Sequence, residues 1–256
     1  MKQSSLLIFS LLLLNLWSCA PAYKSALAKF ELGEYEKAIP LLQDALDKSQ
    51  HEHEKGKIHF YIAESYRLSN RLDLAVDPYS RALSEKYYND KIGLYYGLAL
   101  KAKGEYELAK EQLERYTRTG TDRELVQRAK YELQHIADID SLSKTNNPYI
   151  TIQNVEALNT EHAEYAPSMA NGRLVFASTR RGEETYQATG EGFADLYYFD
   201  FKGNSTTDGE VSQLEGGINQ DGIHEASATF STSGKTMIFA RSNSGDKKEK
   251  DTNEGP

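Results

Sequence analysis

Side chains able to do chemistry are few in this chain, and their spacing argues against catalysis. The sole cysteine, Cys19, closes an apolar leader, so no intramolecular disulfide can form. At a processed terminus it also cannot serve as a catalytic thiol. The His/Glu cluster "HEHE" at 51–54, with His59 nearby, lacks the H-E-x-x-H spacing that sets two metal ligands on one helical face. It reads as a solvated turn between helices, with adventitious metal binding as the other reading. Asp138, Asp140 and Asp200 do not have calcium-loop spacing, and no Gly stands where such a loop needs one. No G-x-S-x-G elbow presents a serine nucleophile. Asn204-Ser205-Thr206 matches an N-glycosylation acceptor only formally. The expectation is a protein that is not an enzyme, with no metal and no cofactor.

Composition narrows the classes further. The 256 residues allow one large domain or two ordinary ones, and 39 % hydrophobic with 27 % charged residues describes a globular chain with a workable core. Net charge is −8 with a pI near 5.4, and mean hydropathy is −0.63. Nucleic-acid binding needs a basic face, so it is not expected here. "GDKKEKD" at 245–251 mixes both signs and reads as a solvated loop.

The leader "MKQSSLLIFSLLLLNLWSC" has Lys2 as a short positive start and an apolar run from Leu6 to Leu16. A membrane span needs about 20 apolar residues, so this run has the length of a signal-peptide core. Leu16-Trp17-Ser18-Cys19 resembles the lipobox of bacterial lipoproteins, although Trp17 is unusual there. The resemblance implies a signal peptide over 1–18 and lipidation of Cys19. Several acyl chains would hold the protein on a bilayer, each buried methylene adding about 0.8 kcal/mol. Ala20 and Pro21 follow without an acidic residue, which in such proteins fits outer-membrane sorting with the body facing the periplasm. The other reading is an ordinary signal peptide with Cys19 a bystander.

Two hexapeptides, "GEYEKA" at 33–38 and "GEYELA" at 104–109, lead to the elements that must position any site. With "NRLDLA" at 70–75 between them, the closing residues Ala38, Ala75 and Ala109 are 37 and 34 positions apart. The second value is the tetratricopeptide period. Small residues recur twelve positions before each marker, at Ala26, Ala63 and Gly97, where two helices of a unit must cross closely. Ala45 and Ala82 lie seven beyond it, with Tyr116 in the third unit. Gly33, Asn70 and Gly104 occupy the turns, as a left-handed helix end requires. Tyr35, Leu72 and Tyr106 open the apolar face of each second helix. The region from about residue 20 to 117 thus resembles a tetratricopeptide stack. Pro78 departs from it and should kink the second helix of the second unit; no unit ends in the proline common in that family. Leu125, Ala129, Leu133 and Ile136 in 122–139 keep helical spacing, and this stretch reads as a closing helix over the open end. By the family's geometry, Phe60, Glu64, Arg67 and Leu68, with Leu94, Leu98, Lys101 and Ala102, would face a partner-binding groove. The alternatives are that Phe60 and Leu94 pack between repeats, or that the stack is a spacer or docks by its convex face.

After residue 140 the pattern changes. "SLSKTNNP" at 141–148 is polar, ends in Pro and reads as a linker. Asp140-Ser141-Leu142 resembles the O-glycosylation motif on exported proteins of Bacteroidota, which marks Ser141. The region 149–256 holds short β-branched and aromatic runs punctuated by Gly and Asn. "EYAPSMANGRLVFASTRRG" at 164–182 aligns with "HEASATFSTSGKTMIFARSNSG" at 224–245, pairing Gly172 with Gly234, Phe176 with Phe239 and Arg180 with Arg241. This resembles PD40, or WD40-like, units of periplasmic β-propellers, with Asp195-Leu196-Tyr197 as the following strand. A propeller needs roughly four to eight blades, so the chain reads as the N-terminal part of a longer protein.

The expected architecture is multidomain, α then β: a lipoprotein signal peptide over 1–18, a helical-repeat domain with its closing helix over 19–140, the linker over 141–148 and an incomplete propeller over 149–256. In this order the parts resemble Bacteroidota outer-membrane lipoproteins in which an OmpA-like peptidoglycan-binding domain follows the propeller. One such protein is an accessory component of type IX secretion. The resemblance implies a non-enzymatic, lipid-anchored scaffold that binds envelope proteins. It would reach peptidoglycan only through a part outside this chain. The alternative is a glycan- or peptide-binding role, or a propeller gating a hydrolase domain not present in this sequence.

Overall fold

The computed structural model describes residues 20–143, 153–180, 184–203, 205 and 207–242. Cys19 with the rest of the lipobox, residues 144–148 of the linker and the tail from 243 lie outside the described residues. The chain divides into two compact units, one helical and one of strands.

The helical unit holds seven helices: α1 Ala20–Glu31, α2 Tyr35–Lys48, α3 Glu52–Leu68, α4 Leu72–Ser84, α5 Ile92–Ala102, α6 Tyr106–Thr119 and α7 Arg123–Ser143. Each packs against the next along the chain. The first six form three helix–turn–helix units, and the turns share one construction. Gly33, Asn70 and Gly104 have φ of 73°, 62° and 83°. In each turn the following amide reaches back to the fifth carbonyl before it: Glu34 to Lys29 at 3.0 Å, Arg71 to Tyr66 at 2.8 Å and Glu105 to Leu100 at 2.9 Å. This is the Schellman ending, which satisfies carbonyls the helix itself leaves unpaired. The repeat pattern is tetratricopeptide-like at every marked position. Ala26, Ala63, Ala38, Ala75 and Ala109 are fully buried, as are Ala45 and Ala82, while Tyr116 is buried in the third unit. At Gly97 a Cβ would stand 2.8 Å from Leu113 Cγ, so the α5–α6 crossing admits no side chain there. The first period is longer because α3 runs 17 residues against 11 in α5, a gain that the shorter connection before α3 only partly offsets.

Helix α4 runs through Pro78 and α2 through Pro40, three and two residues past the marker Ala, so neither proline ends its helix. One finding differs from expectation. Helix α7 continues to Ser143, into the stretch read as linker, so Ser141 sits in its last turn rather than in a loop. Ala129 and Ile136 bury into the main helical core, with Leu125 and Leu133 packed against it. The closing helix is therefore formed by the residues the periodicity marked.

The strand unit has β1 Glu164–Ala170, β2 Arg173–Ser178, β3 Asp195–Phe201, β4 Gly209–Gln213, β5 Glu225–Phe230 and β6 Met237–Arg241. β1 to β4 form an antiparallel sheet in sequence order, and β5 with β6 forms a second, two-stranded sheet. Asn171 and Gly172, with φ of 52° and 78°, make the two-residue turn between β1 and β2. β1 and β5 carry the same bulge, where Ala166 and Ser227 take φ of 52° and 56°. One face of the first sheet, with Val175, Ala177 and Leu196, packs on Ala228, Met237 and Phe239 of the second. Its other face, with Phe176, Tyr197 and Phe199, is covered by Val155 and Leu158. No closed barrel or ring of sheets forms among the described residues.

Candidate protein-binding groove

A pocket of about 410 Å³ opens on the helical unit where the second and third repeats meet the closing helix. Arg67 of α3, Leu72 of α4, Leu98, Lys101 and Ala102 of α5, Tyr106 of α6, and Arg128, Glu132 and Ile139 of α7 line it. Arg67 and Lys101 are one repeat apart, as are Leu72 and Tyr106, so the repeat itself places like residues side by side.

Arg67 is held by a polar network beneath the pocket. Its Nε and Nη2 donate to Glu64 Oε1 and Oε2 at 2.9 and 2.7 Å. The Tyr79 hydroxyl donates to the same Oε1. The guanidinium lies over the Tyr95 ring, 3.9 Å from its centre, an arrangement that adds attraction as well as position. Burial disfavours the charge on Arg67, but the Glu64 carboxylate more than offsets it and the guanidinium stays firmly protonated. Burial, with the neighbouring Glu64 charge, pushes the Tyr79 hydroxyl far up, so it remains a donor. Across the pocket the Lys101 ammonium donates to Glu132 Oε2 at 2.6 Å and ties α5 to α7. Burial would raise the Glu132 carboxyl; the Lys101 bond and the nearby positive charges outweigh this, so it titrates below its usual value. Arg128 is exposed and makes no hydrogen bond or ion pair among the described residues.

Of the groove positions read from sequence, Arg67, Leu98, Lys101 and Ala102 line the pocket. Leu68 is 42 % exposed and Glu64 is buried beneath Arg67. Phe60 and Leu94 do not face the groove. Phe60 packs against Tyr79 and Tyr87, with ring centres 6.3 and 5.4 Å away, and Leu94 is fully buried in the same core. Phe60 stands at the middle of α3 and Leu94 near the start of α5, and both belong to the core cluster shared by the second and third repeats and the closing helix. Sequence reasoning missed the contribution of α7. The i,i+4 pair Arg128 and Glu132, on the polar side of a helix whose apolar side was already recognised, was the available signal.

"HEHE" leads into α3, with Glu52 and Glu54 in its first turn, where carboxylates suit the helix dipole. His59 is buried, with Nδ1 2.5 Å from Glu85 Oε2. No group of three or more His, Cys, Asp or Glu side chains suited to a metal exists among the described residues. Among those residues no helix is long and apolar enough to cross a membrane. Ser141 is exposed.

In the strand unit the internal repeat recurs as chemistry. Arg180 Nη2 donates to Leu158 O at 2.5 Å and to Glu164 Oε1 at 3.2 Å. Arg241 donates to Ile218 O and, through Nε, to Glu225 Oε1 at 2.9 Å. Each carboxylate also accepts an amide from the preceding segment, Thr160 N for Glu164 and Gln220 N for Glu225. Each guanidinium lies over its strand's Phe, Arg180 over Phe176 and Arg241 over Phe239. By strand register, however, Arg241 stands where Ser178 does, opposite the first residue of the preceding strand. The arginines reach equivalent places from different backbone positions, and the glutamates that receive them were not read from sequence.

No family model matches the chain, and no curated protein does. Among solved structures, it is similar to the type III secretion translocator chaperone SycD of Yersinia enterocolitica, at 19 % identity over 46 % of this chain and 89 % of that one, with a TM-score of 0.38. It is also similar to the Sgt2 TPR domain of Aspergillus fumigatus, at 21 % identity over 54 % and 89 %, with a TM-score of 0.40.

Proposed function

We propose that this chain is a non-enzymatic scaffold that binds protein partners through its helical groove. In this reading Cys19 carries a lipid anchor, the body faces the periplasm from the outer membrane, and the partners are envelope or secretion-system proteins. The pocket among α3, α5 and α7 is the observation that carries it: apolar side chains flanked by ordered cations, at a size suited to side chains of a bound segment. The strand unit is read as the start of a PD40-type propeller. Support comes from the head-to-tail packing of its two sheets, with the Phe239 face of the second on the Val175 face of the first. Peptidoglycan contact would belong to a part outside this chain.

Affinity purification from envelope extracts tests the scaffold reading, comparing the wild-type chain with Leu98→Arg. Outer-membrane or secretion proteins recovered with the first and lost with the second support it; none recovered with the wild type overturns it. Mass spectrometry of the purified native protein tests the anchor, since an N-terminal peptide without acyl mass at Cys19 would sink that part. The same spectrum tests Ser141, where a mass with no hexose excess rules out the glycan.

A further inference from the structure

The ring of His224, the residue before β5, holds a loop of the strand unit by one hydrogen bond. The Ala194 amide donates to His224 Nδ1 at 3.0 Å. Ala194 is fully buried, so its N–H cannot turn to water instead. An amide only donates, so Nδ1 is the bare nitrogen and Nε2 carries the ring proton. Nε2 is buried and has no hydrogen-bond acceptor among the described residues. Tyr186 and Phe193, at the two ends of the loop, pack on the ring with centres 4.5 and 4.8 Å away. Between them the Tyr186 amide donates to Glu191 O at 2.7 Å. The His224 backbone is fixed separately, by bonds to and from Ser242 at 2.9 Å, so a change at the ring acts on the loop. The charged groups on the surrounding segments are engaged elsewhere or exposed. Asp195 accepts from Gln213, Glu191 from Thr179 and Glu225 from Arg241; Glu184 and Asp221 are exposed. Burial alone holds the His224 imidazole below its ordinary pKa of 6.5.

We infer that His224 is a proton-operated catch on this loop. Neutral, its Nδ1 holds the Ala194 amide and keeps Tyr186 and Phe193 packed. Protonated, Nδ1 becomes a donor facing a donor, the Ala194 bond is lost and the loop opens at Tyr186 and Phe193. No acceptor at Nε2 offsets the added charge, so the closed form takes up a proton only at a cost. The open form binds that proton at the ordinary value and the closed form only below it. The catch is therefore fully shut above 6.5 and weakens as pH falls from there to the lowered value. For a single proton the open population rises by at most about tenfold per pH unit.

Hydrogen exchange of the full chain between about pH 8 and pH 5 tests it, with protection around Ala194 taken relative to the intrinsic rate at each pH. His224→Asn places an acceptor near the Nδ1 position and carries no titrating proton, whereas His224→Phe fills the space without an acceptor. Wild-type protection is expected to be level above 6.5 and to fall below it. In His224→Asn it should stay level, and in His224→Phe it should be low throughout; unchanged protection in β2 shows that the first sheet persists. Level protection in the wild type overturns the catch. So does an equal fall in His224→Asn, which assigns the effect to Glu225, whose carboxyl burial pushes up. Proton NMR of the six histidines reads the same group without relying on a variant's stability. The imidazole signal missing from His224→Asn is expected to titrate below 6.5 in the wild type, and titration at or above that value overturns the inference.

Discussion

Two glycines of the third repeat, one inside α5 and one in the turn after it, do opposite jobs, and substitution separates them. Gly97 is where α5 meets α6, and a methyl there would press Leu113. Gly97→Ala removes a poor helix former, a gain of about 1 kcal/mol, but overpacking costs about 1–3 kcal/mol, so net destabilisation in thermal unfolding is expected. Gly104 has nothing within 4 Å and a φ of +83°. Gly104→Ala is therefore expected to cost about 1–2 kcal/mol from backbone strain alone. The network under Arg67 gives a third outcome. Tyr79→Phe leaves Glu64 bonded to Arg67, so the expected loss is about 1 kcal/mol of stability, with weaker binding at the groove as Arg67 loosens. Both glycines were legible in the sequence because a small residue recurs twelve positions before the marker Ala, and a Gly or Asn five positions before it. The orientation of Arg67 was not, since it depends on Glu64, Tyr79 and Tyr95, which only the packing of three helices brings together.

Helices and strands are held by ion pairs whose loss can be read element by element. Lys101 clasps α7 through Glu132, whose carboxyl is shifted below its ordinary value, so the folded state favours the charged form. That stabilisation is present above the ordinary carboxylate pKa and is lost as pH falls through the lowered one. Protection of α7 against hydrogen exchange, taken relative to the intrinsic rate at each pH, is expected to fall on acidification in the wild type. In Lys101→Met it should already be reduced at neutral pH and change less; equal profiles would remove the clasp from the account. In the strand unit, Arg180→Ala leaves the partly buried Glu164 without its cation, at a cost of about 3 kcal/mol. Hydrogen exchange in β1 and β2 should report it, and unchanged protection there would mean that Thr160 and Ser178 suffice. Burial pushes the Glu225 carboxyl up, with Gln220 N–H and Arg241 opposing, so Arg241 matters most once that carboxyl is charged. β2, β3 and β6 were legible from their apolar runs, and their turns from Gly172 and Gly234; β1, β4 and β5, rich in small and polar residues, were not read as strands. The Glu–Arg pairs keep one spacing in the sequence, 16 positions in both repeats, but only the paired strands show that the two side chains meet.

At the scale of the whole molecule, one repeat logic operates in both units. Helix pairs recur about every 34 residues with their small residues at the crossings, and the sheet hairpins recur with their carboxylate, guanidinium and covering segment. In each unit the sequence repeat predicts which residues bury. It predicts less well which face stays open, because an open face is what the neighbouring element fails to cover. Of the two readings held open for Phe60 and Leu94, packing in the core is the one found: Phe60 lies against Tyr79 and Tyr87 and Leu94 is fully buried; the groove lies towards the ends of α3 and α5, where α7 supplies the far wall. Photo-crosslinking in the source cell tests the central claim that this groove holds a protein partner. A photoreactive residue is placed at Ala102, in the groove, and in a second chain at Lys110, an exposed position of α6 that does not line it. Protein adducts from Ala102 with none, or far fewer, from Lys110 are predicted. Adducts from Lys110 alone, or equal yield from both, would contradict the account.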